Sequence, residues 1–130
     1  MRVKNFSLSF GLEVFKAFSD EARVRILFLL HMEEEMCITD LEHILDFTQT
    51  KTSRHLRFLK SANIVNSRKV DQFVYYHIRS QARDIIAQLL QYMNKDAVLQ
   101  KDHETFKILY SNRELAVWKL HQQQKKQPPY

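Results

Sequence analysis

The stretch that decides the fold runs from Asp40 to Ile78 and reads DLEHILDFTQTKTSRHLRFLKSANIVNSRKVDQFVYYHI. Its first half has apolar residues at helical spacing in two short segments. Its second half has two β-prone segments, which are joined by a turn at Val70-Asp71-Gln72. The order of short helix, turn, second helix and hairpin predicts a winged helix-turn-helix, a mainly α fold with a small β-hairpin wing (α+β).

Positive charge is concentrated between Gln49 and Val70, a segment without an acidic residue. Its cations are Lys51, Arg54, Arg57, Lys60, Arg68 and Lys69. These cations give the segment a charge of +6, whereas the whole chain has a net charge of +5. The rest of the chain is therefore close to neutral. A localised basic patch on a compact motif indicates a protein that contacts phosphates.

The helix predicted from Gln49 to Ala62 has two different faces at about 100° per residue. Thr52 and Leu56 fall on one side, which indicates a core face. Hydroxyl and cationic side chains fall on the other, as expected of a helix that enters the major groove. Thr48 is the predicted N-cap, and Asn63 tolerates the left-handed geometry that often ends a helix.

The polar face of this helix and the tip of the wing supply the candidate DNA contacts. Arg54 and Gln49 are expected to read bases, because a guanidinium can bind guanine and a carboxamide can bind adenine at two points. Phosphates, which position a protein without specifying sequence, are the expected partners of Lys51, Arg57, Arg68 and Lys69. The full set is Thr48, Gln49, Thr50, Lys51, Ser53, Arg54, His55, Arg57, Arg68, Lys69 and Gln72.

Apolar helices flank the motif on both sides. Leu8, Leu12 and Phe15 recur at helical spacing before it, and a wide stripe from Ala82 to Met93 follows it. A small domain has little surface left to bury so wide a stripe. We therefore predict that it forms a dimer face, with the first helix as its companion. Ser80 is the predicted cap of the stripe's helix.

The segment EARVRILFLLHM at 21–32 is apolar on nearly every side beyond Arg25, which indicates a buried central helix capped by Ser19 or Asp20. An acidic bridge follows, for which a solvated surface is the simplest interpretation. Its carboxylates could also keep this face away from DNA by like-charge repulsion. Thr39 is the predicted cap of the short helix that begins the motif.

Size and composition predict one main domain at 1–94, a helical extension at 95–122 and a disordered tail at 123–130. One Gly and two Pro favour a helical protein. A single cysteine, Cys37, excludes an internal disulfide and fits a reducing compartment. With no apolar run long enough to span a bilayer, we expect a cytoplasmic protein without a membrane partner.

Residues Phe15 to about Met93 resemble the ArsR/SmtB family of bacterial winged-helix repressors. The resemblance is carried by FKAFSDEARVRILFLL, by TQTKTSRHLRFLKSANIV and by SRKVDQFVYYHI. The residues that match the family's recognition-helix pattern are Gln49, Ser53, His55, Leu56, Leu59, Ala62 and Val65. The resemblance implies a homodimer that binds imperfect palindromic DNA and leaves it when an effector binds.

The chain also departs from the family's pattern. Asn63 replaces the usual Gly and Glu21 the usual Pro, and both replacements fit the same geometry. The segment EEMCITDLEH is similar to the family's Cys-x-Cys metal box but keeps only Cys37, with Thr39 in the place of the second thiol. We therefore predict neither a cofactor nor a metal site, and Cys37 is the one weak candidate ligand. Asp102, His103 and His121 do not match the spacing of the family's other metal site.

These observations predict a homodimeric, sequence-specific transcriptional repressor that binds double-stranded DNA and is released by an unknown effector. The alternative is a winged-helix module whose basic helix docks an acidic protein partner. An enzyme is not expected, because the chain has no glycine-rich phosphate loop and no nucleophile elbow.

Overall fold

The computed structural model describes residues 5–110, which contain six α-helices and three strands. The helices are α1 (Leu8–Ala17), α2 (Glu21–Glu33), α3 (Ile38–Leu45), α4 (Gln49–Ser61), α5 (Arg83–Gln91) and α6 (Ala97–Leu109). The strands are β1 (Glu35–Cys37), β2 (Val65–Val70) and β3 (Phe73–Ile78). The predicted winged helix-turn-helix is confirmed. None of the helices in the described part of the chain is long and apolar enough to cross a lipid bilayer.

Helix α2 forms the centre of the core, as its nearly continuous apolar sequence predicts. Ile26, Leu27 and Leu29 are completely buried, and the helix contacts α4, α5, α6 and the sheet. Asp20 caps its first turn by accepting a hydrogen bond of 2.8 Å from the Ala22 N–H. All other elements are therefore positioned with respect to α2.

Local signals fix the turn between α3 and α4 and the end of α4. Asp46 takes the left-handed conformation with φ 56° and ends α3. Thr48 caps α4 as predicted, since its hydroxyl accepts a hydrogen bond of 3.1 Å from the Lys51 N–H. Asn63 has φ 62°, the left-handed geometry predicted for it at the end of the helix. The prediction that Thr39 caps α3 is wrong, because that helix begins at Ile38.

The wing belongs to a three-stranded antiparallel sheet in the order β1-β3-β2. Strands β2 and β3 form the predicted hairpin, with Val70 opposite Phe73 and a two-residue loop between them. Asp71 has φ 55° there, as the first loop position of such a hairpin requires. Strand β1 was not predicted; it lies within the acidic bridge and pairs Glu35 with His77.

The apolar stripe that begins at Ala82 divides between two environments. Its buried members, which belong to the core of this chain, are Ala82, Ile86 and Leu90. Its half-buried members, which pack at the edge of the core, are Ile85, Leu89 and Met93. The predicted Ser80 cap is wrong, because Ser80 begins a 3-10 turn and α5 starts at Arg83 without a side-chain cap.

Helix α1 buries one face and exposes the other. Val14 and Ala17 lie in the core, whereas Leu8, Leu12 and Phe15 are 79%, 51% and 66% exposed. An apolar face of this kind on a folded domain is typical of an interaction surface. The role of α1 and α5 as a dimer face stays a prediction.

Helix α6, part of the segment assigned to an extension at 95–122, packs against α2 and α3. Leu99, Phe106 and Tyr110 join the same hydrophobic core as the winged helix. The division of the chain at residue 94 stays a prediction. The capping box and last helix expected after residue 110, and the tail at 123–130, lie outside the described residues.

Candidate nucleic-acid interface

The outer face of α4 presents most of the predicted DNA-contacting side chains to solvent. Its core side, with Thr52, Leu56 and Leu59 completely buried, packs against the domain. The exposed members of the predicted set on this face are Thr48, Gln49, Thr50, Arg54 and Arg57, while Lys51 and Ser53 are half-buried. The helix therefore separates a packing face from a polar, cationic face, as predicted.

Lys51 is held at the start of α4 by an aromatic ring. Its Nζ lies 4.0 Å from the centroid of Phe47, which fills the turn between α3 and α4. The guanidinium of Arg25 lies 5.2 Å from the same centroid. Two cations thus share one ring, and each gains a favourable contact with its π-face.

The buried carboxylate of Asp102 reduces the repulsion between Arg25 and the neighbouring cation Lys51. Arg25 donates two hydrogen bonds to Asp102 on α6, of 2.8 Å from Nε and 2.9 Å from Nη2. The same hydrogen bonds raise the pKa of Arg25. The cleft beside this pair is lined by side chains of α2, the turn and α4, among them Lys51 and Arg54. Asp102 therefore acts as the counter-ion for a cation behind the basic face.

His55 lies on the inner side of α4 and not on the exposed face. It is 5% exposed, and its Nδ1 lies 3.5 Å from the Nη1 of Arg23 on α2. Burial lowers the pKa of the imidazole, and nearby cations lower it further against the opposing effect of Asp20. A buried ring is poorly placed to contact DNA. His55 belongs with the contacts that join α4 to α2.

Asp20 completes this inner cluster. Burial alone would raise the pKa of its carboxyl group, but the Ala22 N–H, His55 and Arg23 outweigh burial and lower it. Arg23 lies 4.2 Å over the Phe58 ring and donates a hydrogen bond of 2.8 Å to the Lys16 carbonyl. Through these contacts Arg23 of α2 joins α1 and α4 behind the basic face.

The wing places its polar side chains beside α4. Lys60 on α4 donates a hydrogen bond of 2.9 Å to Ser67 on β2, which joins the helix to the wing. Lys69 and Gln72 are exposed near the tip. Arg68 is exposed as well, but it forms an ion pair with Glu35 of β1. The predicted wing residues therefore differ in their surroundings.

Cys37 is buried in β1, with 2% of its surface exposed. Burial raises the pKa of the thiol, and the charge of Asp40 acts in the same direction. Within residues 5–110, no group of three or more His, Cys, Asp and Glu side chains is arranged to hold a metal ion. Asp102 is engaged by Arg25, and His103 lies 3.1 Å from a Glu33 oxygen.

Two residues of this region were absent from the predicted site, namely Glu35 and Asp102. The signal for Asp102 was indirect: Arg25 lies next to the apolar run of α2, and a partly buried cation there requires a partner. No local pattern indicated which carboxylate that partner would be, because 77 positions separate the two residues.

Comparison with known proteins agrees with this geometry. The basic helix and the wing define a winged-helix regulator. The model for "Bacterial regulatory protein, arsR family" matches residues 20–67. The cadmium resistance regulatory protein CadC homolog of Staphylococcus aureus is 41% identical over 66 residues, 51% of this chain and 54% of that protein. The arsenical resistance operon repressor of Escherichia coli is 38% identical over 79 residues, 58% of this chain and 68% of the repressor.

A solved structure extends the similarity to three dimensions. The homodimeric winged helix-turn-helix DNA-binding domain of Mb0332 from Mycobacterium bovis, a possible ArsR-family regulator, aligns with a TM-score of 0.61 and 25% identity. The alignment covers 68% of this chain and 82% of that one. The chain therefore belongs to the ArsR family of bacterial regulatory proteins. The resemblance seen in the sequence is confirmed, although the chain spans only about half the length of the CadC homolog.

Proposed function

We propose that this protein is a homodimeric, sequence-specific DNA-binding repressor of transcription that acts in the cytoplasm and is released from DNA by an effector. The observation that carries the proposal is the exposed cationic and amide face of α4. The helix has a capped N-terminus, and near its C-terminal end Lys60 joins it to the wing. The family supports this function. The named relatives are regulators of resistance genes, which favours DNA over an acidic protein as the partner of this face.

The first turns of α4 would lie in the major groove, where base edges distinguish all four base pairs. Gln49 and Arg54 are the proposed base readers, because both are exposed and both side chains can form two hydrogen bonds to one base. Lys51, Arg57 and Lys69 are the proposed phosphate contacts. His55 is left out of the proposed interface, because its ring is buried.

Two copies of α4 can contact one duplex only if the chain dimerises with their separation fixed. The exposed apolar face of α1 is the proposed dimer contact, together with the half-buried edge of α5. Burying Leu8, Leu12 and Phe15 would remove from water the largest exposed apolar side chains of α1. Half-sites about 34 Å apart would then face successive major grooves.

DNA binding is tested with fragments selected from the host genome by the purified protein. Arg54→Ala should weaken binding to the selected duplex by about 5- to 150-fold for each half-site, the worth of one base-reading pair. Lys95→Ala is the matched control, because Lys95 is an exposed cation in the connection between α5 and α6. Equal effects of the two variants, or affinity that does not depend on salt, would contradict the proposal.

Dimerisation is tested separately by sedimentation of Leu12→Glu/Phe15→Glu, which should be monomeric where the wild type is dimeric. Ile108→Glu is the control, because Ile108 is an equally apolar side chain, 78% exposed, on α6. A wild type that sediments as a monomer would refute the dimer.

A metal effector is tested by adding zinc to the purified protein and measuring its DNA affinity. An unchanged affinity would exclude zinc as the effector.

A further inference from the structure

Within residues 5–110, Arg68 is the wing cation that forms an ion pair with a carboxylate. Its Nε donates to Glu35 Oε2 at 2.7 Å and its Nη2 donates to Glu35 Oε1 at 2.6 Å. The two side chains are 56% and 22% exposed, so the pair lies at the surface but is partly shielded. A two-point contact between guanidinium and carboxylate is the strongest geometry available to an ion pair of this kind.

The register of the sheet explains how the pair forms. Strand β3 lies between the two partners, with Tyr75 opposite Arg68 on one side and His77 opposite Glu35 on the other. The Arg68 guanidinium lies 5.2 Å from the centroid of the Tyr75 ring and reaches diagonally over it to the carboxylate. Strand β1, which the sequence pattern did not predict, therefore supplies the partner of the wing arginine.

We propose that Glu35 occupies the position on Arg68 that a DNA phosphate would otherwise take, and so withholds this cation from DNA. The inference rests on the proposed DNA-binding function. Carboxylate and phosphate oxygens fit the same fork of N–H donors, so the two ligands exclude each other. A phosphate would have to displace a two-point intramolecular partner that is already in place.

Lys69 provides the internal comparison. It follows Arg68 directly and is exposed, and within residues 5–110 no carboxylate forms an ion pair with it. Lys69 can therefore contact a phosphate without first giving up a partner. Two adjacent wing cations thus make unequal contributions to DNA binding.

Withholding one cation per protomer reduces affinity for any DNA, because phosphate contacts are independent of sequence. Base contacts from Gln49 and Arg54 then account for a larger share of the binding free energy. Glu35 is in this sense a residue that limits non-specific binding, although it lies on a strand outside the helix-turn-helix.

The test measures affinity against salt concentration for a duplex selected by the wild type and for a scrambled duplex of the same length. The variants are Glu35→Gln, Arg68→Gln, Lys69→Gln and the double variant Glu35→Gln/Arg68→Gln. Glu35→Gln should tighten binding to both duplexes and steepen the slope of log affinity against log salt by about 0.9 per protomer, the value for one added phosphate contact. Lys69→Gln should make the slope shallower by about the same amount.

Arg68→Gln should leave the slope unchanged, and the double variant should behave like Arg68→Gln alone. The double variant also controls for loosening of the wing, because it lacks the same ion pair as Glu35→Gln. As a readout without DNA, the NMR resonance of the Arg68 Nε–H should shift in Glu35→Gln and not in Lys69→Gln.

Two results would overturn the inference while the proposed function stands. One is a slope that becomes shallower in Arg68→Gln as it does in Lys69→Gln, which would mean that Arg68 already contacts a phosphate. The other is a slope that does not change in Glu35→Gln, which would mean that the pair only braces the wing. If neither the wild type nor any variant binds DNA in a salt-dependent manner, the proposed function fails and the inference fails with it.

Discussion

Replacing Asp102 by Asn should destabilise the folded protein strongly, because the change leaves a partly buried cation without its counter-ion. The side chain of Asp102 is 5% exposed and that of Arg25 is 22% exposed, and two hydrogen bonds of 2.8 and 2.9 Å join them. Removing one partner of a buried ion pair costs about 3–5 kcal/mol. Arg25 keeps its contact with Phe47 and some exposure to water, so the lower end, about 3 kcal/mol, is expected.

The assay is urea unfolding followed by circular dichroism, at one protein concentration for all variants. Glu104→Gln is the matched control: it removes an exposed carboxylate two positions further along α6 and should change the free energy of unfolding by no more than about 0.5 kcal/mol. Arg25→Met/Asp102→Leu should regain most of the loss, because an apolar pair can replace a buried ion pair at little cost. If Asp102→Asn were as stable as Glu104→Gln, the assignment of Asp102 as the counter-ion behind the basic face would be refuted.

Three further predictions concern residues around the interface. Burial lowers the pKa of His55, so the unfolded chain binds a proton more tightly. Stability should therefore be fully present above the ordinary value of 6.5 and be lost as pH falls through the folded pKa, a dependence that His55→Gln should weaken in urea titrations. Cys37 should react with a thiol reagent far more slowly in the native protein than in concentrated urea, because burial raises its pKa and blocks access; equal rates would contradict this. Asn63→Val should cost about 1–2 kcal/mol in unfolding free energy, because Asn63 has φ 62°, whereas Asn63→Gly should cost nothing; equal costs would disprove the argument.

The helix-turn-helix and the hairpin could be predicted because their signals are local. Thr48 caps α4 by a hydrogen bond from the N–H of Lys51, three positions away. Asn63 ends the helix because asparagine tolerates the left-handed backbone conformation. The β-branched and aromatic residues of β3 and the turn at Asp71 likewise act over a few positions. Signals that act between neighbouring residues can be recognised in the sequence, and they were sufficient to identify α4 and the wing.

The parts that escaped prediction depend on contacts between distant segments. Strand β1 is three residues long and forms only because β3 offers it an edge, and a charged segment such as EEMC carries little β propensity of its own. Glu35 and Arg68 are 33 positions apart. His55 fits a polar helix face in sequence, yet it faces Arg23 on α2 once the helices pack. Helical periodicity assigns a residue to a face only approximately, and packing decides the residues at its boundary.

The basic segment at 49–70 has only positively charged ionic side chains in sequence, but these cations have different surroundings in the structure. Arg54 and Arg57 are exposed on α4, Lys51 is held against an aromatic ring, and Arg68 is paired with a carboxylate. A count of positive charges therefore overstates the charge that this surface can offer to phosphates. The difference arises from the residues packed behind and beside the motif, because Phe47 positions one cation and Glu35 neutralises another. The proposed DNA affinity would thus depend in part on Phe47 and Glu35, although neither belongs to the proposed set of DNA contacts.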